Sequence, residues 1–211
     1  MKEFKIRASA AGKLMTNPRK KGEVLSETTK SYLQEWTKEQ IYGVRQVITS
    51  KYLTKGIEVE QDSINFAEKV LGWDLAVKNE DGYEDDFFTG TPDVIFPRDK
   101  VVDIKSSWDC FTFPLFEGEI PTKDYYYQLQ VYMHLTGLKK AELVYVLMET
   151  PEDLTRIHYD YSQVESKHRV KVYEVEYDQS VIDDLQQRVN NAREYINQLI
   201  KTIWKRFTVI R

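Results

Sequence analysis

Asp103 and Lys105 stand two positions apart in Val101-Val102-Asp103-Ile104-Lys105-Ser106-Ser107, a run that reads as a strand. Strand side chains alternate between faces, so Asp103 and Lys105 share one side. Val102 and Ile104 take the other, where an apolar core would cover them. Shortly before, Gly90-Thr91-Pro92-Asp93-Val94-Ile95-Phe96 reads as a second strand with Asp93 at its start, and a short turn brings Asp93 alongside. Two carboxylates a few ångströms apart repel each other, and such a site is costly unless a cation neutralises it. Mg²⁺ suits that demand, because it takes oxygen ligands from one or two carboxylates and leaves places for water and phosphate. Lys105 would then orient the attacking water or help remove its proton while the ion screens charge growing on a phosphate. The plain alternative is a surface hairpin with a solvated Asp103–Lys105 pair. That alternative leaves Pro92-Asp93 and the apolar flanks unexplained.

The elements that must hold these residues follow from periodicity. Residues 27–42 carry Tyr32, Leu33, Trp36, Ile41 and Tyr42 among good helix formers and read as an amphipathic helix, and residues 55–72 read as a second one. Residues 87–96 and 100–107, separated by Pro97-Arg98-Asp99-Lys100, read as two strands joined by a tight turn. A third helix spans 124–136 and stops at Gly137. Leu143 to Met148 is a strand-like apolar run, and 156–161 and 168–177 are β-rich. Ser180 and Asp183 resemble a capping pair at the start of the last helix. There Val181, Leu185, Val189, Ala192, Ile196, Leu199 and Ile203 form a stripe fit for a core or for another subunit. This order predicts a mixed α/β (α+β) fold, a central mixed β-sheet flanked by helices with a long C-terminal helix.

Composition narrows the function classes. The 211 residues are 41% hydrophobic and 30% charged, which suits a packed globular body and not a disordered one. With no repeat and no Pro-, Gly- or Ser-rich linker, residues 1–211 read as a single domain. No apolar run approaches a membrane span and the start lacks a signal peptide, so the expectation is a cytoplasmic protein without a membrane partner. Cys110 is the only cysteine, which excludes a disulfide framework, a zinc knuckle and a cysteine-ligated iron–sulfur cluster. His134, His158 and His168 show no metal-type spacing. The net charge of −4 argues against coating nucleic acid by bulk electrostatics, but leaves room for a local basic patch such as the loop Asn17-Pro18-Arg19-Lys20-Lys21-Gly22.

Pro92-Asp93 followed by Asp103-Ile104-Lys105 resembles the signature of the PD-(D/E)XK nuclease superfamily. Within it the chain is similar to the phage λ exonuclease and YqaJ-type viral recombinase group. The markers fall in order over roughly residues 5–150: Arg7-Ala8-Ser9, then Lys55-Gly56-Ile57-Glu58-Val59-Glu60, the two catalytic strands, and Tyr127-Gln128-Leu129-Gln130-Val131-Tyr132. The resemblance implies a restriction-endonuclease-like core and a Mg²⁺ ion, with Mn²⁺ as a substitute. Asp93, Asp103 and the backbone carbonyl of Ile104 would hold that ion.

It also implies an acidic residue on the helix before the strands, and helical phase separates the two candidates. Glu60 shares a stripe with Ile57, Ile64, Ala67 and Leu71, whereas Glu58 lies with Gln61, Asp62, Asn65 and Lys69. Glu60 is therefore expected at the metal or beside Lys105, with a structural ion pair as the alternative. Gln128 is favoured over Gln130 as a support residue by its match to the family's Gln-x-x-x-Tyr element, and Tyr132 is read as structural. Arg7 and Ser9 match the region associated with the DNA 5′-phosphate. Trp108 and Phe111 are read as packing residues with base stacking as the alternative. The implied activity is 5′-to-3′ exonucleolytic hydrolysis of linear duplex DNA with a 5′-phosphate end in phage-type recombination. A single-strand-annealing partner and a ring trimer follow by analogy. The rivals are a RecB-like single-strand nuclease, an endonuclease, and a catalytically silent DNA-binding protein of the same fold.

Overall fold

A computed structural model describes residues 2–47 and 49–208, with side chains described as far as residue 203. In chain order it runs β1 (Ile6–Arg7), α1 (Ala11–Leu14), α2 (Glu27–Tyr42), α3 (Lys51–Glu58), α4 (Glu60–Leu71), β2 (Tyr83–Glu84), β3 (Phe88–Gly90), β4 (Val94–Phe96), β5 (Lys100–Ser106), α5 (Lys123–Thr136), β6 (Lys140–Val146), β7 (Val170–Glu176) and α6 (Gln179–Thr208). The expected mixed α/β architecture is present, with two sheets in place of one. The central sheet has the order β4-β5-β6-β7 and is mixed, since β5 and β6 run parallel between antiparallel neighbours. A smaller sheet orders β1-β3-β2.

Alternation along β5 sorts the core. Val101 joins Leu143, Tyr173 and Val175 under α5 and α6. Val102 and Ile104 join Val144 and Val146 against Ile64 and Ala67 of α4 on the opposite face. Both faces of the sheet are thus covered, as a parallel strand pair requires. Helix ends follow local chemistry. The Ser26 hydroxyl accepts from the Thr29 N–H at 3.0 Å to start α2, and Gly137 at φ 73° ends α5 where a Cβ would be strained.

Four sequence expectations are corrected. The helix expected over 55–72 is two helices, α3 starting earlier and breaking at Val59, whose φ −101° and ψ 9° leave the helical region. The strand expected over 87–96 is split at Thr91-Pro92-Asp93, so β3 serves the small sheet and β4 the central one. Pro92 has no N–H to give a ladder. Residues 156–161 form no strand: Ile157 is 63% exposed, and only Tyr161 is buried, against Phe113 and Leu147. The last helix is capped by Asp178, whose carboxylate accepts from the Ser180 backbone N–H (2.9 Å) and hydroxyl (2.6 Å). Ile182 joins its core stripe, with Val181 half-buried against the same core, while Ile203 lies exposed.

Candidate active site

β4 and β5 form a hairpin in which Val94 faces Val102. Its turn has the Asp99 N–H donating to the Phe96 carbonyl at 3.0 Å, with Pro97 and then Arg98 at φ 68° between them, the type II pattern. Beyond Val94 the β4 ladder ends, and Asp93 completes it with a side chain: Oδ2 accepts the Ile104 N–H at 2.7 Å. The N–H and C=O of a strand residue leave on the same edge, so the Ile104 carbonyl is presented beside Asp93. Asp103 is almost wholly buried next to them. The Asp93 carboxyl is pushed up to about 7, first by burial and then by the Asp103 charge, with Lys105 and the Ile104 N–H opposing.

Lys105 Nζ lies 2.6 Å from Asp103 Oδ2 and 4.8 Å from the centre of the Tyr125 ring. Burial works against its charge, but the Asp103 and Asp93 carboxylates outweigh it and hold the ammonium above the ordinary lysine range. Asp103 Oδ2 is buried, and the Lys105 ammonium is its one charged neighbour among the described contacts. The other oxygen, Oδ1, accepts from Gln128 Nε2 at 2.9 Å, and the same amide donates to the Tyr132 hydroxyl at 2.9 Å. Burial and the Asp103 charge raise the Tyr132 phenol, which keeps it a neutral hydrogen-bonding group. The four expected residues Asp93, Asp103, Lys105 and Gln128 therefore meet in one cleft of about 480 Å³.

Glu60 also lines this cleft, at the start of α4, whereas Glu58 is exposed. The stripe that selected Glu60 is only partly real. Ile64 and Ala67 are buried, but the break at Val59 turns Ile57 outward to 66% exposure. Glu60 Oε2 is 2.9 Å from Lys78 Nζ, the ion pair held open as the alternative. Among the described residues no three carboxylate, histidine or cysteine side chains converge as a metal cluster. The donors nonetheless fit one divalent ion: two carboxylates whose charges repel, and a carbonyl on the open strand edge.

Arg7 and Ser9 line a separate cavity of about 470 Å³ with Thr89, Thr91 and Tyr132. Gly90 sits at its wall, where a Cβ would come within 2.8 Å of the Tyr132 ring. Tyr132 is thus reached from the Arg7 cavity and, through Gln128, from Asp103. Of the other expectations, residues 17–22 are a loop as read, and the Lys20–Glu23 pair there is 3.9 Å apart. Trp108 packs edge-on to Tyr52 at 5.0 Å, while Phe111 is 80% exposed. His134 pairs with Asp85 at 2.9 Å, and His158 and His168 are exposed. Gln130 is structural: it donates to the Glu176 carbonyl and accepts from the Asp178 N–H.

Lys55 was missed. It is 1% exposed, and its ammonium donates to the carbonyls of Ser107 (2.7 Å), Trp108 (2.9 Å) and Met148 (2.7 Å) and to the Thr150 hydroxyl (2.9 Å). Burial pushes this amine down to about 8, with Asp109 opposing. It ties α3 to the ends of β6 and of β5, the strand that carries Asp103 and Lys105. The only available signal was a lysine in a helix that otherwise turns Tyr52, Leu53 and Ile57 outward, and its acceptors lie some 50 and 90 residues further along the chain.

Comparison with known structures places the fold. A phage-related exonuclease from Haemophilus somnus 129PT superposes with a TM-score of 0.84 and 28% identity, over 96% of this chain and 97% of that one. The chain is similar to the PD-(D/E)XK nucleases of the phage exonuclease type. An alkaline exonuclease from Laribacter hongkongensis shares this PD-(D/E)XK fold at a TM-score of 0.73 and 15% identity, over 98% of this chain and 95% of that one. A second structure of that enzyme, in complex with dAMP, matches at 0.72 and 18%, with the same coverage. No family model and no curated protein matches the sequence. Among the described residues no helix is long and apolar enough to cross a membrane.

Proposed function

We propose that the chain is a Mg²⁺-dependent DNA exonuclease that degrades linear duplex from a 5′-phosphate end, with Mn²⁺ as an effective substitute. The carrying observation is the Asp93–Ile104 hydrogen bond, which draws Asp93, Asp103, the Ile104 carbonyl and Lys105 to one strand edge. Asp93, Asp103 and the Ile104 carbonyl would hold the ion, with Glu60 joining on release from Lys78. Bound there, Mg²⁺ would supply positive charge to the phosphate and acidify water. Lys105, steadied over Tyr125, orients the attacking water by a hydrogen bond and steadies the charge that develops on the phosphate oxygens. Gln128 fixes the Asp103 carboxylate through Oδ1, which leaves Oδ2 turned toward Lys105 and the ion. Arg7 and Ser9 receive the terminal phosphate through a charged fork and a hydroxyl. A single-strand-annealing partner, a ring trimer, a role in phage-type recombination and a cytoplasmic setting are part of this reading by family likeness.

The deciding experiment incubates the protein with linear 5′-phosphorylated duplex, linear 5′-hydroxyl duplex, single strands and closed circles, with Mg²⁺ or EDTA. Progressive Mg²⁺-dependent loss of the 5′-phosphorylated duplex alone supports the reading. Cut circles move it to an endonuclease, loss of single strands alone to a RecB-like enzyme, and no cutting of any substrate to a silent DNA-binding protein. Wild-type cutting by Asp103→Ala or Lys105→Ala would remove the proposed site.

A further inference from the structure

β7 is the outer strand of the central sheet, and its free edge can be written out atom by atom. The Tyr177 N–H donates to the Lys139 carbonyl, and the Leu147 N–H donates to the Arg169 carbonyl. In an antiparallel ladder, hydrogen-bonded and non-hydrogen-bonded pairs alternate. The odd-numbered residues of β7 therefore turn their backbone groups toward β6, in the register Leu143–Tyr173 and Ala141–Val175. Val172, Glu174 and Glu176 point theirs outward. The Glu176 carbonyl is taken by Gln130 Nε2 at 2.7 Å. Among the described residues, the N–H and C=O of Val172 and Glu174 and the Glu176 N–H have no partner strand.

A groove of about 1110 Å³ runs along this edge, between β7 and the segment leading into α5. Tyr126 and Tyr127 line one side of it, and Glu119, Glu174, Glu176 and Asp178 outnumber Lys123 among its lining residues, with Lys139 over the Tyr177 ring and Lys140 opposite Glu176 at its margin. An unpaired edge is a template for strand addition, and aromatic walls give an added strand side-chain pockets. The charge selects the occupant. Nucleic acid is repelled by the carboxylates. Two copies of the chain joined edge to edge would set Glu174 and Glu176 against their own kind.

We propose that this groove binds an extended, lysine- or arginine-bearing segment of another protein, which adds to β7 as a fifth strand of the central sheet. The inference is independent of the proposed nuclease reaction. β5 and β6 separate the groove from Asp93, so a bound segment leaves the catalytic cleft open.

The probe is a short synthetic peptide alternating lysine with valine or tyrosine, with a glutamate-for-lysine version as control. Binding is read by fluorescence anisotropy, and the edge by amide hydrogen exchange at Val172 and Glu174. Two variants carry the test. Glu174→Pro removes only an outward N–H and leaves the β6 ladder whole, and Glu174→Lys with Glu176→Lys reverses the charge. The lysine peptide should protect both amides and bind at least about tenfold more weakly to either variant, while DNA cleavage by both variants stays at the wild-type level. Equal binding of the glutamate peptide, or undiminished binding by Glu174→Pro, would overturn the proposal. A concentration-dependent dimer that Glu174→Pro abolishes would overturn it in favour of a second copy as occupant.

Discussion

Asp93 Oδ2 and the Ile104 N–H are 2.7 Å apart, so a side chain finishes the ladder that β4 leaves incomplete and thereby sets the spacing of the two carboxylates. This double duty separates structure from chemistry in two substitutions. Asp93→Asn keeps an oxygen for the Ile104 N–H and removes one of two repelling charges, so the melting temperature is expected to hold or rise while cleavage falls by at least about 100-fold. Asp93→Ala loses both functions and orphans a buried N–H, which costs about 1–3 kcal/mol in chemical denaturation. A destabilised Asp93→Asn would show that the carboxylate charge, and not its geometry, holds the hairpin end.

The raised Asp93 carboxyl gives a pH signature. Between the ordinary aspartate value of 3.8 and about 7 the folded metal-free protein keeps a proton that the unfolded chain has released. Stability from this group therefore falls as pH rises through that window. A divalent ion bound by Asp93 would replace that proton, so on this reading the increase in melting temperature on adding Mg²⁺ should be larger at about pH 8 than at about pH 5. Asp103→Asn removes the second cause of the shift and should flatten the difference. The expectation fails if Mg²⁺ raises the melting temperature equally at both pH values in the wild type.

How far the sequence spoke depended on whether a signal was local. The shared side of Asp103 and Lys105 was legible because strand alternation is local, and β5 obeys it: Val102 and Ile104 lie against α4 and Asp103 does not, while Asp93 was placed by the short turn that joins the two strands. Glu60 shares the cleft of Asp93 and Asp103, but the stripe that pointed to it was partly wrong, because the helix breaks at Val59, between Ile57 and Ile64. The split of 87–96 between two sheets depends on which strand each half meets, β1 and β2 or β5, and no window of the sequence contains that choice. Lys55 was invisible for the same reason. Its acceptors come from the ends of two other strands, and a lone lysine in a helix ordinarily reads as solvated.

Lys55→Met retains much of the aliphatic bulk and removes the donors. The Ser107 and Met148 carbonyls then lose their Lys55 donor inside the fold. A loss of about 2–5 kcal/mol in urea denaturation is expected. Lys51→Met, on the same helix but placed over the Trp108 ring at 4.7 Å, should lose less than about 1 kcal/mol. Comparable losses in the two variants would mean that the four contacts of Lys55 are no better than a surface cation–π pair.

Arg98 at φ 68° carries the hairpin turn in a region that favours glycine. Arg98→Gly relieves that strain at the loop tip between β4 and β5, and a stabilisation of roughly 1 kcal/mol by thermal melting is expected. Cleavage should stay unchanged, because the turn lies at the far end of the hairpin from Asp93 and Ile104. A decrease in melting temperature would show that the Arg98 side chain contributes more than its backbone strain costs.

Glu60 and Lys78 test whether the cleft recruits a third carboxylate. Their ion pair at 2.9 Å is partly exposed, with side chains 25% and 37% accessible, so breaking it should cost less than about 1 kcal/mol. If Glu60 turns to the ion, Lys78 competes with Mg²⁺ for it. Lys78→Met should then lower the Mg²⁺ concentration for half-maximal cleavage by a few-fold, and Glu60→Gln should raise it by about tenfold. The double variant should behave as Glu60→Gln alone, since Lys78 would act only through Glu60. Calorimetric titration with Mg²⁺ in the absence of DNA gives the same ranking without cleavage. If Lys78→Met and Glu60→Gln leave both readouts at the wild-type value, Glu60 belongs to the ion pair alone and the site is completed by Asp93, Asp103 and Ile104.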